Sequence, residues 1–186
     1  QGGIPDVVVV TPSLDADSVY ALQSASIWAK FSNNGGFPLV VGESASFAMQ
    51  PSDYSVLTSL PISIEPSVSD SIEIQFTPTV ANTILDTLTL STNDPNEGSV
   101  AVTLTGYGKM AVIALPDTFI VPTIHSDEDT VGLLAITNQG NGDLSIVSVS
   151  SSSDFFEGPD QALLDTFLVV GGSTGYLPIG FNPTTV

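Results

Sequence analysis

The chain nearly repeats itself, and that repeat constrains its fold more than any single residue does. At an offset of 105 residues, FSNNGGFPL (Phe31 to Leu39) returns as ITNQGNGDL (Ile136 to Leu144). At the same spacing SIEIQFTPT (Ser71 to Thr79) returns within GYLPIGFNPT, its core aligned from Tyr176 to Thr184. Two separate matches sharing one offset read as a tandem array of two domains, each of roughly a hundred residues. The boundaries expected are 1–108 and 109–186. Copy one runs on past its match through ANTILDTLTLSTNDPNEGSVAVTLTGYG, whereas Val186 is reached in copy two before any such segment.

Charge narrows the function. Twenty Asp and Glu stand against two Lys, a net charge of −18. Binding to nucleic acid works by Lys and Arg displacing counterions, so no nucleic-acid partner is expected. Anionic membrane surfaces are disfavoured for the same reason, and no run approaches the ~20 apolar residues of a membrane-spanning helix. Cysteine is absent, which removes disulfides and thiolate metal sites. A hydrophobic content of 42% still suffices for packed cores. Such an acidic, self-repelling surface suits salty surroundings or divalent cations. The first residue is Gln1 rather than Met, which fits a removed signal peptide or an arbitrary boundary. The expectation is a secreted bacterial protein, extracellular or at the cell surface.

The periodicity is that of strands. Ile72, Ile74 and Phe76 alternate with Glu73 and Gln75, and Leu177, Ile179 and Phe181 repeat the pattern. Leu88 and Leu90 alternate with Thr87 and Thr89, and Val100, Val102 and Leu104 with Ala101, Thr103 and Thr105. Val7 to Val10 is an unbroken β-branched run, as in a strand covered on both sides or joining two sheets. Seven strands are predicted in copy one, beginning near Val7, Ser26, Leu39, Tyr54, Ser71, Thr83 and Ser99. No helical period competes, so the fold class is all-β: two tandem immunoglobulin-like sandwiches. Asn33-Asn34-Gly35-Gly36 is expected to supply residues that tolerate positive φ, and Asn93-Asp94-Pro95-Asn96 an Asx turn. Gly106 to Lys109 is read as a short linker.

The order of these elements resembles the immunoglobulin-like repeats of the ASPM/SPD-2/Hydin type, known in bacterial surface proteins as choice-of-anchor D repeats. The motifs behind this are Asn-x-Gly with a following Leu (Asn33, Gly35, Leu39; Asn138, Gly140, Leu144) and Phe-x-Pro-Thr (Phe76, Pro78, Thr79; Phe181, Pro183, Thr184). To these copy one adds Ser91-Thr92-Asn93-Asp94-Pro95 and a closing Val102, Leu104, Gly106, Gly108 series. The resemblance implies spacers and protein-contact modules, and it transfers no catalytic residue. Copy two departs from it in having no Asn-Asp-Pro strand pair.

That pair corresponds to the sixth and seventh strands of a sandwich, which share a sheet with the third. Copy two as written is therefore expected to be incomplete at its C-terminal end and unstable alone. Either the natural chain is longer, or a neighbouring chain supplies strands by complementation and subunits join head to tail.

Catalysis has little raw material. The single His125 lies beside the acidic stretch Ser126-Asp127-Glu128-Asp129, and no Gly-x-Ser-x-Gly turn occurs. No catalytic residue and no organic cofactor are expected. Calcium is the better chemical hypothesis: Asp15 and Asp17, with Asp127, Glu128 and Asp129, fall in what read as loops after the first strands, and Ca²⁺ takes hard oxygen ligands. The competing reading is solvated acidic loops. Trp28 takes the outward parity of its strand, with Lys30, and marks a contact surface or packs under a loop.

These readings converge on a non-enzymatic structural module of a bacterial fibre, stalk or adhesin. Its expected partners are proteins, either other copies of itself or neighbouring repeats. Two alternatives are an adhesive domain that recognises glycan or protein, and an intracellular ciliary or centrosomal scaffold.

Overall fold

A computed structural model describes residues 3–125 and 128–183. The chain divides into two compact units, Gln1–Lys109 and Met110–Val186. The first contains β1 (Val7–Val9), β2 (Ser13–Tyr20), β3 (Ala25–Asn33), β4 (Leu39–Phe47), β5 (Tyr54–Val56), β6 (Ile62–Ile64), β7 (Ser69–Phe76), β8 (Thr83–Thr92) and β9 (Ser99–Lys109). They form two sheets, in the orders β1-β3-β7-β5 and β2-β9-β8-β4-β6. With β2 and β6 set aside, the neighbours are those of the ABED and CFG sheets. The fold is immunoglobulin-like.

The period-2 pattern explains the core. Ala29 and Phe31 on β3 face Ile72, Ile74 and Phe76 on β7, and all are fully buried. Leu88, Leu90, Val102 and Leu104 close over them from the second sheet. The chain crosses between sheets just after Val7–Val9, as the β-branched run suggests: β1 pairs with β3 and β2 with β9.

Several local expectations change. Nine strands replace seven. Gly106 to Lys109 belongs to β9 and is not a linker. Asp15 and Asp17 lie in β2, not in a loop. β2 runs parallel to β9 with an irregularity between Asp15 and Ser18, where Asp17 takes a φ of 55°. Asp and Asn are the residues other than glycine that tolerate this region best, which places the bulge.

The second unit contains β10 (Ile113–Ala114), β11 (Thr130–Asn138), β12 (Leu144–Ser145), β13 (Phe156–Glu157), the short α1 (Gln161–Leu164), β14 (Leu168–Val169) and β15 (Thr174–Phe181). Its sheets are β10-β11-β15-β13 and β12-β14. The first repeats β1-β3-β7-β5 strand for strand, and the second repeats the β4-β6 pair. The helix, capped by the Asp160 carboxylate on the Leu163 amide at 2.8 Å, was not legible in the residue pattern. Among the described residues nothing corresponds to β8 and β9, and nothing to β2 either. A strand that pairs only with β9 in unit one finds no such ladder among the described residues of unit two.

Candidate functional site: the open faces of the second unit

Each unit is pinned by one buried asparagine. Asn33 Nδ2 donates to the carbonyls of Phe37 (2.7 Å) and Ile64 (2.9 Å), while its Oδ1 accepts from the amides of Gly35 (2.9 Å) and Asp6 (3.3 Å). Asn138 repeats this with Gly142 (2.7 Å), Val169 (2.9 Å), Gly140 (3.0 Å) and Val112 (3.1 Å). The glycine two residues on is explained by close approach. A Cβ on Gly35 would lie 2.2 Å from the Ile4 carbonyl oxygen, and one on Gly140 would lie 2.0 Å from that of Met110. None of Asn33, Asn34, Gly35 and Gly36 has a positive φ, so the expected left-handed turn is not the reason for the motif. These clamps are structural, and they hold the sheet that carries the candidate site.

The first unit adds a second clamp. Asp94, buried in its turn, accepts from the amides of Val7 (2.9 Å), Asn96 (2.8 Å) and Glu97 (3.3 Å). The Val7 amide first, then that of Asn96, holds its carboxyl below the usual carboxylate range against the opposing effect of burial. The Asx turn foreseen at Asp94 therefore also ties β1 to the β8–β9 hairpin. Asp86 likewise binds the Met49 amide (3.0 Å) and the Ser52 hydroxyl (2.6 Å).

Tyr54 stacks on Phe76 at 4.7 Å between ring centroids, and its hydroxyl donates to the Ile84 carbonyl of β8 at 3.3 Å. Burial, and then the Asp15, Asp86 and Asp53 carboxylates, push its phenol upward. In the second unit Phe156 packs on Phe181 at 5.0 Å from the same register position. Phenylalanine stands where tyrosine reached the β8 carbonyl.

The inner face of the second unit is accordingly open. Seventeen hydrophobic residues form the buried core of unit one, seven of them on β2, β8 and β9; among the described residues of unit two only five are buried together. A groove of about 440 Å³ remains over the sheet, with Phe119, Leu134, Val149, Phe156 and Ile179 on its apolar side and Ser150 to Ser152 and Glu157 on its polar side. Phe119, from the stretch that takes the place of β2, lies over Gly132, where a Cβ would sit 2.6 Å from its ring. Phe181 is only partly buried, whereas Phe76 is fully so. The repeated alternation thus gives the phase of Phe181 but not a burial equal to that of Phe76. β12, whose counterpart β4 pairs with β8, pairs among the described residues with β14 alone.

The outer face differs as well. In unit one the outward positions of β3 and β7 are Ser26, Trp28, Lys30, Ser71, Glu73 and Gln75. Trp28 is 56% exposed and directly opposite Glu73. In unit two the same positions are Val131, Leu133, Ala135, Tyr176, Pro178 and Gly180.

The proposed calcium ligands do not share one element. Asp15 and Asp17 are exposed on β2 of unit one, with Asp15 Oδ1 accepting the Asp17 amide at 2.9 Å. Glu128 and Asp129 are exposed in unit two, as is His125, while Asp127 lies outside the described residues. Among the described residues no three His, Asp or Glu side chains gather as metal ligands.

No family model and no curated protein matches the chain. Solved structures do. A PapD-like domain of human CEP192 is similar over 55% of this chain and 84% of its own, at 10% identity and a TM-score of 0.47. The YadV chaperone is similar over 94% and 85%, at 13% identity and 0.43. A Porphyromonas gingivalis protein of unknown function is similar over 95% and 83%, at 15% identity and 0.42. The fold assignment rests on the strand order above, and no functional argument is drawn from these likenesses.

Proposed function

We propose that this chain is a non-enzymatic structural module of an extracellular bacterial fibre, stalk or adhesin. In this reading its second unit is completed by a further strand pair, supplied either by more of the same chain or by a neighbouring chain. The observation that carries it is made of the described residues of that unit: a pinned sheet, a groove over Leu134 and Ile179, and β12 paired with β14 alone. An incoming strand pair of the β8–β9 pattern would add backbone hydrogen bonds along β12 and cover the groove with alternating aliphatic side chains. The Asn-x-Gly and Phe-x-Pro-Thr motifs support a repeat of the choice-of-anchor D type, built for contact with protein. The strongly acidic composition, with a net charge of −18, supports an extracellular setting. Among the described residues no helix is long and apolar enough to cross a membrane.

The test is to add a peptide of the sequence Ala81 to Lys109 to the full chain and follow amide exchange. Slower exchange at Leu144 and Ser145, with a raised unfolding midpoint for unit two alone, is the expected result. Unchanged exchange at both amides, with the peptide in excess, would sink strand completion. A second reading, an adhesive surface on unit one, is favoured by exposed Trp28 on a polar sheet face. Loss of adhesion on Trp28→Ala with unchanged stability would support it.

A further inference from the structure

The outer face of unit two carries a second trough, floored by the opposite side of the β11–β15 sheet and meeting the inner groove only at Glu157 and Gly158. Val131, Leu163, Pro178 and Gly180, with Gly158 and Pro159, give it an apolar lining beside Glu157 and Asp160, and it is an open hollow of about 330 Å³. A smaller hollow of about 150 Å³ shares Val131, Glu157 and Gly180 and adds Asp129. Val131 is 60% exposed, Leu133 63% and Tyr176 60%, so the apolar surface extends along the sheet. Its counterpart in unit one is polar, so the apolar character is particular to this copy and does not come with the fold.

Charge decides the occupant. From Met110 to Val186 there are nine acidic residues and neither Lys nor Arg, so the unit has no Lys or Arg to neutralise Glu157 and Asp160. A second copy has only Lys30 and Lys109 to set against these carboxylates, and at −18 it would bring like charge to this trough. A single metal ion is a poor fit, since no three carboxylates gather here among the described residues. An apolar lining beside spaced carboxylates matches a side chain with an aliphatic stem and a cationic end. We propose that this trough docks a basic segment of a partner protein, with lysine or arginine stems on Val131, Pro178 and Gly180 and the charged ends beside Glu157 and Asp160.

The full chain would be titrated with a short lysine–valine peptide and with its glutamate–valine counterpart, following backbone amides by NMR. Binding of the lysine peptide alone is expected, with shifts concentrated at Val131, Leu133, Glu157 and Gly180. Glu157→Gln should weaken binding about threefold, as loss of one exposed charge partner does. Val131→Ser should weaken it about as much through lost apolar contact. Glu43→Gln, an exposed carboxylate of unit one, should leave it unchanged. Affinity should fall as added salt shortens the Debye length. Shifts spread over the whole acidic surface, equal loss on Glu43→Gln, or absence of binding would each overturn the proposal.

Discussion

The two units share a four-stranded sheet with matching strand order, register and asparagine clamp, yet they bury it differently. β3 and β7 of unit one are sealed by β8 and β9, and Phe76 is fully buried. In unit two β11 and β15 pair in the same register, but Phe181 stays partly exposed and an open groove lies above Ile179. Strand pairing and core burial are thus separable here. The sheet is set by its backbone ladder and by the turn that Asn33 or Asn138 pins, while burial depends on a second layer that these strands do not encode. On the outer faces the divergence runs the other way, with unit two apolar where unit one is polar.

The sharpest test of this contrast is a matched pair of truncations. Phe76→Ala should cost about 3–5 kcal/mol, as loss of a buried aromatic does. Phe181→Ala, in the equivalent position, should cost about 1–2 kcal/mol because its ring is only partly removed from water. Denaturant unfolding followed separately in each unit measures both. Equal losses would mean that the inner face of unit two is covered after all.

The clamps should behave alike where the cores do not. Asn33→Ala and Asn138→Ala each strand buried backbone groups, and each should destabilise its own unit by about 2–3 kcal/mol. A loss confined to Asn33 would show that the hydrogen bonds of Asn138 do not carry the stability of unit two.

A smaller difference should appear on acidification. Asp94 is held below the usual carboxylate range, so its contribution is full above the carboxylate value of the unfolded chain. It is lost as pH falls through the lowered folded value. Unit one should therefore lose stability at low pH relative to an Asp94→Asn variant, and the two curves should converge under the most acid conditions. Parallel curves down to the lowest pH would show that the Val7 tie does not favour the ionised form.

The smallest expected effect concerns divalent cations. Calcium acting at Asp15 and Asp17, or at Glu128 and Asp129, should raise the melting temperature of its own unit beyond what NaCl of equal ionic strength achieves. Calorimetry with Ca²⁺, EDTA and NaCl distinguishes the cases, and identical curves would leave these carboxylates as solvated charge.

The sequence by itself determined the strand class, the two-fold repeat and the phase of the long strands. Alternation of apolar and polar residues at Ile72 to Phe76, and again at Val100 to Leu104, reports directly which side chains leave water. Tertiary structure decided what alternation does not encode. β2 has no clean period, with LDADSV bent at Asp17, and it becomes a strand only because β9 lies alongside it. The helix Gln161–Leu164 is a single turn, too short to show a period. Asn33 and Asn138 were legible as turn residues but not as clamps, because Ile64 and Val169 reach them from 31 residues away in the chain. The trough joins Val131, Glu157 and Pro178, which only the folded sheet makes neighbours. Local periodicity fixes the face a residue turns toward. What meets that face depends on long-range pairing, which no short window of sequence contains.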